Sequence, residues 1–370
     1  MSKEIVALIL AGGKGTRLES LTKKAAKPAV SFAAKYRIID FPLSNCANSG
    51  IRKVGILTQY ESITLNNYIG NGEKWGINGV GSLTSILAPH QTEAGYYWYR
   101  GTADAIYQNI DFLDSLNPEY VLILSGDHIY RTTYDGMLDY HIEKEADCTV
   151  MVIDVSIEEA SRFGIMTKNR ERRITQFEEK PKNPISTLAS MGIYIFTYKL
   201  LREALLTDGA DENSTHDFGN DIIPTLLKAG KRFYAYPFEG YWRDVGTIQS
   251  LHQANMDILE AGTWKAIFGD DGRNIFTEDT ASVPQYAGKR CSIANSIVNQ
   301  GANILGNIEK CVISDEVLVE YDAVVKNCVV MKGAVIGKGA KVKYAIIAPH
   351  SIVPDGASVN QTGNKIILID

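Results

Sequence analysis

The chain has 370 residues, 45% of them hydrophobic and 22% charged, with a formal net charge of −5. That length allows two domains, each with its own core. The acidic balance without a long basic run excludes a nucleic-acid binder, no apolar run reaches membrane-spanning length, and the short apolar run near the N-terminus lacks the length and cleavage site of a signal peptide, so a cytoplasmic location is expected.

The first predicted strand, Ile5–Leu10, runs straight into Ala11-Gly12-Gly13-Lys14-Gly15-Thr16-Arg17-Leu18. Glycine has no Cβ and accepts positive φ, so such a loop can close its backbone N–H groups on a polyanion. Lys14 and Arg17 accompany the glycines, and Lys23, Lys24 and Lys27 follow just before Pro28. Clustered cations of this kind suit a triphosphate, and a loop that follows a strand is where an α/β sheet presents its ligand. The loop lacks both the G-K-[ST] ending of a Walker loop and the G-x-G-x-x-G spacing. On these residues alone, a tight strand-to-helix turn with solvated cations is the lesser alternative.

Further strands are predicted at Val54–Thr58, Tyr120–Ser125, Cys148–Val155 and Gly192–Phe196, with helices such as Asp104–Leu116 and Tyr134–Glu145 between them. The alternation indicates an α/β fold, a mostly parallel sheet covered by helices. Glycine-rich Asn71–Gly81 reads as a mobile loop, and Pro89–Gly101 as a second long loop. Thr247–Ala261 is predicted as an amphipathic helix with Leu251, Ala254, Ile258 and Leu259 on its apolar face. The cysteines Cys46, Cys148, Cys291, Cys311 and Cys328 form no CxxC pair and read as buried, reduced thiols.

From about Cys291 the helix signals stop, and short valine- and isoleucine-rich runs alternate with glycine. Steps of six from Ile293 land on Asn299, Leu305, Cys311, Val317, Ala323, Val329, Val335, Lys341, Ile347, Val353 and Val359, and only Asn299 and Lys341 break the apolar column. An antiparallel sheet should not hold phase across its turns, whereas a hexapeptide β-helix does. Gly301, Gly306, Gly333, Gly337, Gly339 and Gly356 would serve its corners. A small antiparallel sandwich is the alternative. The repeat also admits an acyltransferase, for which His350 is the one histidine available in this region.

Several residues between these elements carry candidate chemistry. Asp127, in Ser125-Gly126-Asp127-His128, ends an apolar strand where sheet ligands bind. It could hold Mg²⁺ against phosphate oxygens together with Asp244 of Tyr241-Trp242-Arg243-Asp244; either aspartate could equally be a turn or capping residue. Glu179 and Lys180 could grip a sugar and a phosphate, or belong to a solvated charge run. Trp98 and Tyr99 offer aromatic faces, and Thr102 could cap the helix that follows it.

Taken together, the chain resembles the bacterial glucose-1-phosphate adenylyltransferases over essentially its whole length. The resemblance rests on Ala11–Leu18, Ala26–Val30, Phe41–Ile51, Trp98–Ala105, Gly126–Tyr130, Glu179–Pro181, Ser190–Tyr194, His216–Gly219 and Tyr241–Thr247, which follow in family order. It implies a Rossmann-like, mostly parallel mixed sheet over residues 1–262, a linker over 263–290 and a left-handed parallel β-helix over 291–370. The implied reaction joins ATP and α-D-glucose 1-phosphate into ADP-glucose and pyrophosphate with Mg²⁺. The alternatives are a related nucleotidyltransferase using another NTP and a non-catalytic regulatory subunit.

The resemblance also assigns residues. Arg17, Lys27 and Asp127 would be catalytic, with Asp127 and Asp244 as the metal pair. Leu10, Ala11, Gly12, Gly13, Lys14, Gly15, Thr16, Arg17, Gln91, Gly101 and Thr102 would bind ATP. Tyr99, Gly164, Glu179, Lys180, Ser190, Tyr194, Asp217, Phe218, Trp242 and Asp244 would bind glucose 1-phosphate. Lys24 would belong to an activator site, and Gln59 and Trp98 to communication between effector and active sites. The family's tetramer would be formed by identical chains or with a paralogous subunit, and a small-molecule effector would regulate it. Enterobacterial members carry Arg at the Lys14 position and a longer loop between Lys180 and Ser190. Lysine keeps the charge but not the bidentate fork, so phosphate grip and effector response are expected to differ here.

Overall fold

In the computed structural model, which describes residues 4–89, 91, 92, 95, 96, 98–363 and 365–370, nine strands join into one sheet. In chain order they are β1 (Ile5–Leu10), β2 (Lys53–Leu57), β3 (Leu83–Leu87), β4 (Tyr120–Ser125), β5 (Cys148–Asp154), β6 (Gly164–Lys168), β7 (Ile174–Glu179), β8 (Leu188–Thr197) and β9 (Phe233–Pro237). The spatial order is β7-β6-β8-β4-β1-β2-β3, with β5 beside β8 and β9 beside β5. Strands β4, β1, β2 and β3 form a parallel block. Strand β8 runs antiparallel to β4, β5 and β6, which makes the sheet mixed.

Strands β4, β1 and β2 are buried on both faces, which is why β1 and β4 read as continuous apolar runs. Val6 and Leu8 of β1 enter the core on one face, and Ala7 and Ile9 the core on the other. Both strands end at the same level, Leu10 pairing with Ser125. The glycine loop and the Gly126-Asp127 turn therefore leave the sheet side by side.

Several predicted elements take a different form. The helix expected over Asp104–Leu116 is two pieces, Thr102–Tyr107 and Ile110–Leu116. Asn109 sits at the break, its amide donating back to the Ala105 carbonyl at 2.8 Å and to the Tyr99 hydroxyl at 2.9 Å. Thr102 does not cap this helix; its hydroxyl donates to Asp217 Oδ2 at 2.8 Å instead. The glycine-rich stretch from Asn71 is pinned by Trp75 and Ile77, both buried. The helix expected from Thr247 spans Ile248–Asp257, with Thr247 as a capping-box N-cap, and a second helix covers Ala261–Phe268.

The C-terminal region winds through three five-stranded parallel sheets, a β-helix. Its turn is not three strict six-residue sides, which would total 18 residues. Val319 pairs with Ile336 and Ile336 with Val353; Val325 pairs with Val342 and Val342 with Val359; each step is 17 residues. In these turns one side is therefore a residue short; Ile304 pairs with Val319, 15 residues on, in the turn before them, and Ala345 with Ile367, 22 on, in the last. The inward column runs Val319, Val325, Val330, Ile336, Val342, Ile347, Val353. A fixed step of six slips off this column, which is why it meets exposed Lys341 beside buried Val342.

The coil packs against the first region. Ile248, Leu251, Ala254 and Ile258 share one core with Leu18, Phe32 and Phe41 and with Val312, Val329, Met331 and Ile346 of the coil. His252 Nε2 lies 2.8 Å from the Asn327 carbonyl. The connecting segment also packs down: Ser44 Oγ accepts from the Phe276 N–H at 2.8 Å, and Arg37 pairs with Glu278 at 3.3 Å. Among the described residues all five cysteines are free thiols, four buried and Cys291 half-buried. No described helix is long and apolar enough to cross a membrane.

Candidate active site

Two clefts meet at the carboxyl ends of β1 and β4. The loop-side cleft, about 450 Å³, is lined by Leu10, Ala11, Gly12, Gly13, Lys14, Lys27, Gln59, Tyr99, Gly101 and Thr102, and reaches Ser125, Asp127 and Asp217. The other, about 480 Å³, holds Arg17, Asp127, His128, Arg162, Gly164, Glu179, Lys180, Ser190, Tyr194, Asp217, Phe218 and Asp244. Leu10, Thr102, Ser125, Asp127 and Asp217 line both.

The loop is built as its glycines suggest. Gly15 has φ +64°, and a Cβ there would lie 3.0 Å from Thr22 Cγ2 and 3.2 Å from Lys27 Cβ. Its carbonyl accepts from the Thr22 hydroxyl at 2.9 Å. The Ala11 N–H donates to the Leu57 carbonyl, which ties the loop root to β2. Gly12 and Gly13 line the cleft, whereas Thr16 faces a separate cavity of about 500 Å³.

At the junction of the clefts sits a buried ammonium between two carboxylates. Lys27 Nζ bonds Asp127 Oδ2 and lies 3.4 Å from Asp244 Oδ1. Burial by itself would lower the Lys27 pKa, but the two aspartates outweigh it and hold the pKa above the ordinary lysine value. Burial would raise Asp127, yet Lys27 first and His128 next outweigh it and keep its carboxyl well below the usual range. The Ser125 hydroxyl donates to Asp127 Oδ1, and His128 Nε2 lies 3.3 Å from the same oxygen. Asp244 is placed by a two-stranded ribbon, Trp242–Asp244 against His128–Tyr130, in which Asp244 pairs with His128. The Gly246 N–H donates to Asp244 Oδ1 at 2.8 Å. A Cβ on Gly246 would lie 2.8 Å from Lys27 Nζ and 3.2 Å from Arg17 Nη2, so Arg17 also comes to this point.

One oxygen or nitrogen from each of Asp127, His128 and Asp244 lies within 4.8 Å of the others, a set able to hold a cation. Two carboxylates suit a hard divalent ion whose remaining positions go to water and phosphate.

In the second cleft, Glu179 occupies space left by two glycines. A Cβ on Gly219 would lie 2.5 Å, and one on Gly164 2.8 Å, from Glu179 Oε2. Lys180 bonds Glu179 and carries φ +45°, its N–H donating to the Phe163 carbonyl at 3.1 Å. Ser190 Oγ donates to the Tyr194 hydroxyl at 3.2 Å, and Tyr194 stacks on Phe218 at 6.0 Å. Burial pushes the Tyr194 hydroxyl pKa up. Asp217 Oδ1 caps the helical turn that follows by accepting from the Gly219 and Asn220 N–H groups.

Some expected site residues lie elsewhere. Tyr99 lines the loop-side cleft instead of the sugar-side group, its hydroxyl donating to the Leu87 carbonyl at 3.2 Å. Trp242 stands behind the second cleft, edge-on to His128 at 5.3 Å and to Phe163 at 5.2 Å. Gln59 accepts from the Tyr99 N–H at 2.7 Å, and Trp98 stacks on Tyr60 at 5.2 Å. The Lys14 ammonium lies over that same Tyr60 ring at 4.8 Å. Lys24 is exposed; it is Lys23 that lines the cavity beside Thr16. Gln91 falls on a short strand, Gln91–Thr92, and its side chain lies outside what is described. Ser125 and His128 flank Asp127 in the stretch already singled out, but only the structure gives them contacts with it; Arg162 joins the site although no motif marks it, because a lone arginine carries no signal until distant strands converge.

Comparison with known proteins gives two family matches. Residues 6–261 match the family described as "Nucleotidyl transferase", and residues 280–364 match "GlmU-like, C-terminal hexapeptide". With the three parallel sheets, the latter makes the coil a left-handed parallel β-helix. The chain is 50% identical over 369 residues, 99% of its length and 98% of theirs, to proteins named glucose-1-phosphate adenylyltransferase from Bacillus thuringiensis subsp. konkukian and Bacillus anthracis. The same identity and coverage hold for the protein of that name from Bacillus mycoides.

Proposed function

The chain belongs to the glucose-1-phosphate adenylyltransferase family, and on that premise we propose that ATP occupies the loop-side cleft and α-D-glucose 1-phosphate the cleft beside Glu179. The protein is an enzyme, a nucleotidyltransferase that moves AMP from ATP to the sugar phosphate. It gives ADP-glucose and pyrophosphate, the glucosyl-donor step of glycogen synthesis. The observation that carries the assignment is Lys27 held between Asp127 and Asp244 where the clefts meet.

The sugar phosphate needs no general base, because a phosphate monoester has its second pKa near 6 and is already dianionic at pH 7. The task is to bring two polyanions into line at the α-phosphorus. Gly12, Gly13 and Lys14 support the phosphates of ATP through backbone N–H groups and charge. Arg17 and Lys27 take up negative charge that develops toward pyrophosphate. Asp127 and Asp244 are the proposed holders of Mg²⁺, and a bound Mg²⁺ supplies charge neutralisation across phosphate oxygens. Glu179 accepts from sugar hydroxyls, Lys180 meets the phosphate, and Ser190, Tyr194, Asp217 and Phe218 shape the sugar wall. Trp242 acts from behind that wall by fixing His128 and Phe163.

Regulation and assembly belong to the same reading. Residues 1–262 form the catalytic unit, 263–290 the connection and 291–370 the coil. The enzyme is a tetramer of identical chains or with a paralogue, in the cytoplasm, answering to a small anionic effector near Lys23 and Lys24. The stack of Lys14, Tyr60 and Trp98, together with Gln59 bonded to Tyr99, supports a link from that region to the phosphate loop.

A panel of ATP, UTP, dTTP and GTP with glucose 1-phosphate, read by pyrophosphate release, tests the function. ATP alone should give rapid release; preference for another NTP would reassign the donor. No activity alone, but stimulation of a paralogue, would make this a regulatory subunit.

A further inference from the structure

We propose that Arg162 is a substrate-binding residue whose guanidinium takes the phosphate of glucose 1-phosphate, alongside Lys180. The proposal rests on the reading of the second cleft as the sugar-phosphate site.

Arg162 follows the short helix Ile157–Ala160, whose Ser156 cap accepts from the Glu159 N–H at 3.3 Å. Its neighbour Phe163 packs against Trp242 and accepts the Lys180 N–H. The backbone at 162 is therefore fixed relative to both Lys180 and the ribbon that carries Asp244. The side chain reaches into the cleft, with Nη2 3.6 Å from Asp244 Oδ2 and Nη1 4.0 Å from a Glu159 oxygen.

Neither contact is a good hydrogen bond, since both exceed 3.5 Å. Nη2 is nevertheless shielded from solvent and has no hydrogen-bond acceptor among the described residues. A purely structural ion pair would close these distances, because a buried donor without an acceptor is costly. An incoming phosphate supplies what is lacking: an anionic oxygen at the wall of a cleft, matched to a planar fork of N–H donors. The charge pattern agrees. Lys27 is already held by two carboxylates and Lys180 is bonded to Glu179, so a dianion calls for further positive charge on this side.

Arg162→Ala and Arg162→Lys, assayed with each substrate varied at saturating Mg²⁺, provide the test. In Arg162→Ala the KM for glucose 1-phosphate should rise about 10- to 100-fold, the loss typical of a charge-assisted hydrogen bond. The KM for ATP should stay within about threefold, which also reports an intact fold, and Arg162→Lys should recover part of the loss. A glucose 1-phosphate KM within about twofold of wild type, or equal rises in both KM values, would overturn the proposal. A wild-type enzyme that releases no pyrophosphate from ATP and glucose 1-phosphate would remove the underlying reading, and this proposal with it.

Discussion

The two halves of this chain bury opposite kinds of side chain. The sheet region encloses Lys27, Asp40, Asp104, His141 and His216 among its apolar residues, while the coil fills its interior with valine, isoleucine, alanine and cysteine, and its buried polar residues are Ser314 and Asp315. The buried polar groups of the first region have named partners: Lys27 with Asp127 and Asp244, Asp104 with Arg100 at 2.8 Å, and the His216 ring with Asp208 at 2.8 Å. The coil relies mainly on repeated shape, with buried Asp315 paired to Lys332 at 2.7 Å. The proposed site lies in the half that buries more charge, and substitutions in the two halves should fail in different ways.

The sharpest separation is at Asp127. Asp127→Asn keeps the volume and removes the charge, so kcat should fall about 10²- to 10³-fold at temperatures where the variant is folded, and the unfolding midpoint should also fall, because buried Lys27 keeps only Asp244 as a counter-ion. Saturation kinetics and a melting curve on one preparation check both halves of that statement. Ile336→Ala should lower stability alone. It empties a fully buried position of the coil and should cost about 2–5 kcal/mol of stability, with both KM values unchanged at low temperature. A matching loss of kcat would mean that the coil supports the site directly.

The next contrast is in acid. His141 is buried against Thr149 and Thr197, and burial lowers its pKa to about 4 from the ordinary 6.5. The unfolded chain binds that proton first, so the stability it protects is complete above pH 6.5 and is lost as pH falls toward 4, on the order of 3 kcal/mol. Denaturant titrations across this window should show a flatter pH dependence in His141→Gln; the coil's histidine, His350, is exposed. The smallest effect is expected at the seam between the halves. Thr247→Ala removes a capping box from the helix that wedges against the coil and should cost about 1 kcal/mol, read as a modest fall in the unfolding midpoint.

Legibility also differs between the halves. Strands β1 and β4 and the glycine loop are readable because a doubly buried parallel strand is a plain apolar run that ends in glycine. The break at Asn109 is not, because it depends on the Tyr99 hydroxyl, which is distant in the fold's logic although near in sequence. In the coil the repeat is visible but its phase is not: the turns step 15, 17 or 22 residues, never 18, so a step of six drifts and Lys341 reads as a fault when it is an outward neighbour of Val342. Asp127 and Asp244 can be named separately. Their meeting at Lys27 cannot be read locally, since it depends on the ribbon Trp242–Asp244 pairing with His128–Tyr130. Arg162 is silent in the sequence for the same reason.

The central claim is adenylyl transfer at that meeting point. ADP-glucose formation from ATP and glucose 1-phosphate, measured for the wild type and for Asp127→Asn at saturating Mg²⁺, tests it most directly. The expected result is rapid ADP-glucose synthesis by the wild type and a loss of about 10²-fold or more in the variant. Near-wild-type turnover by Asp127→Asn would contradict the account.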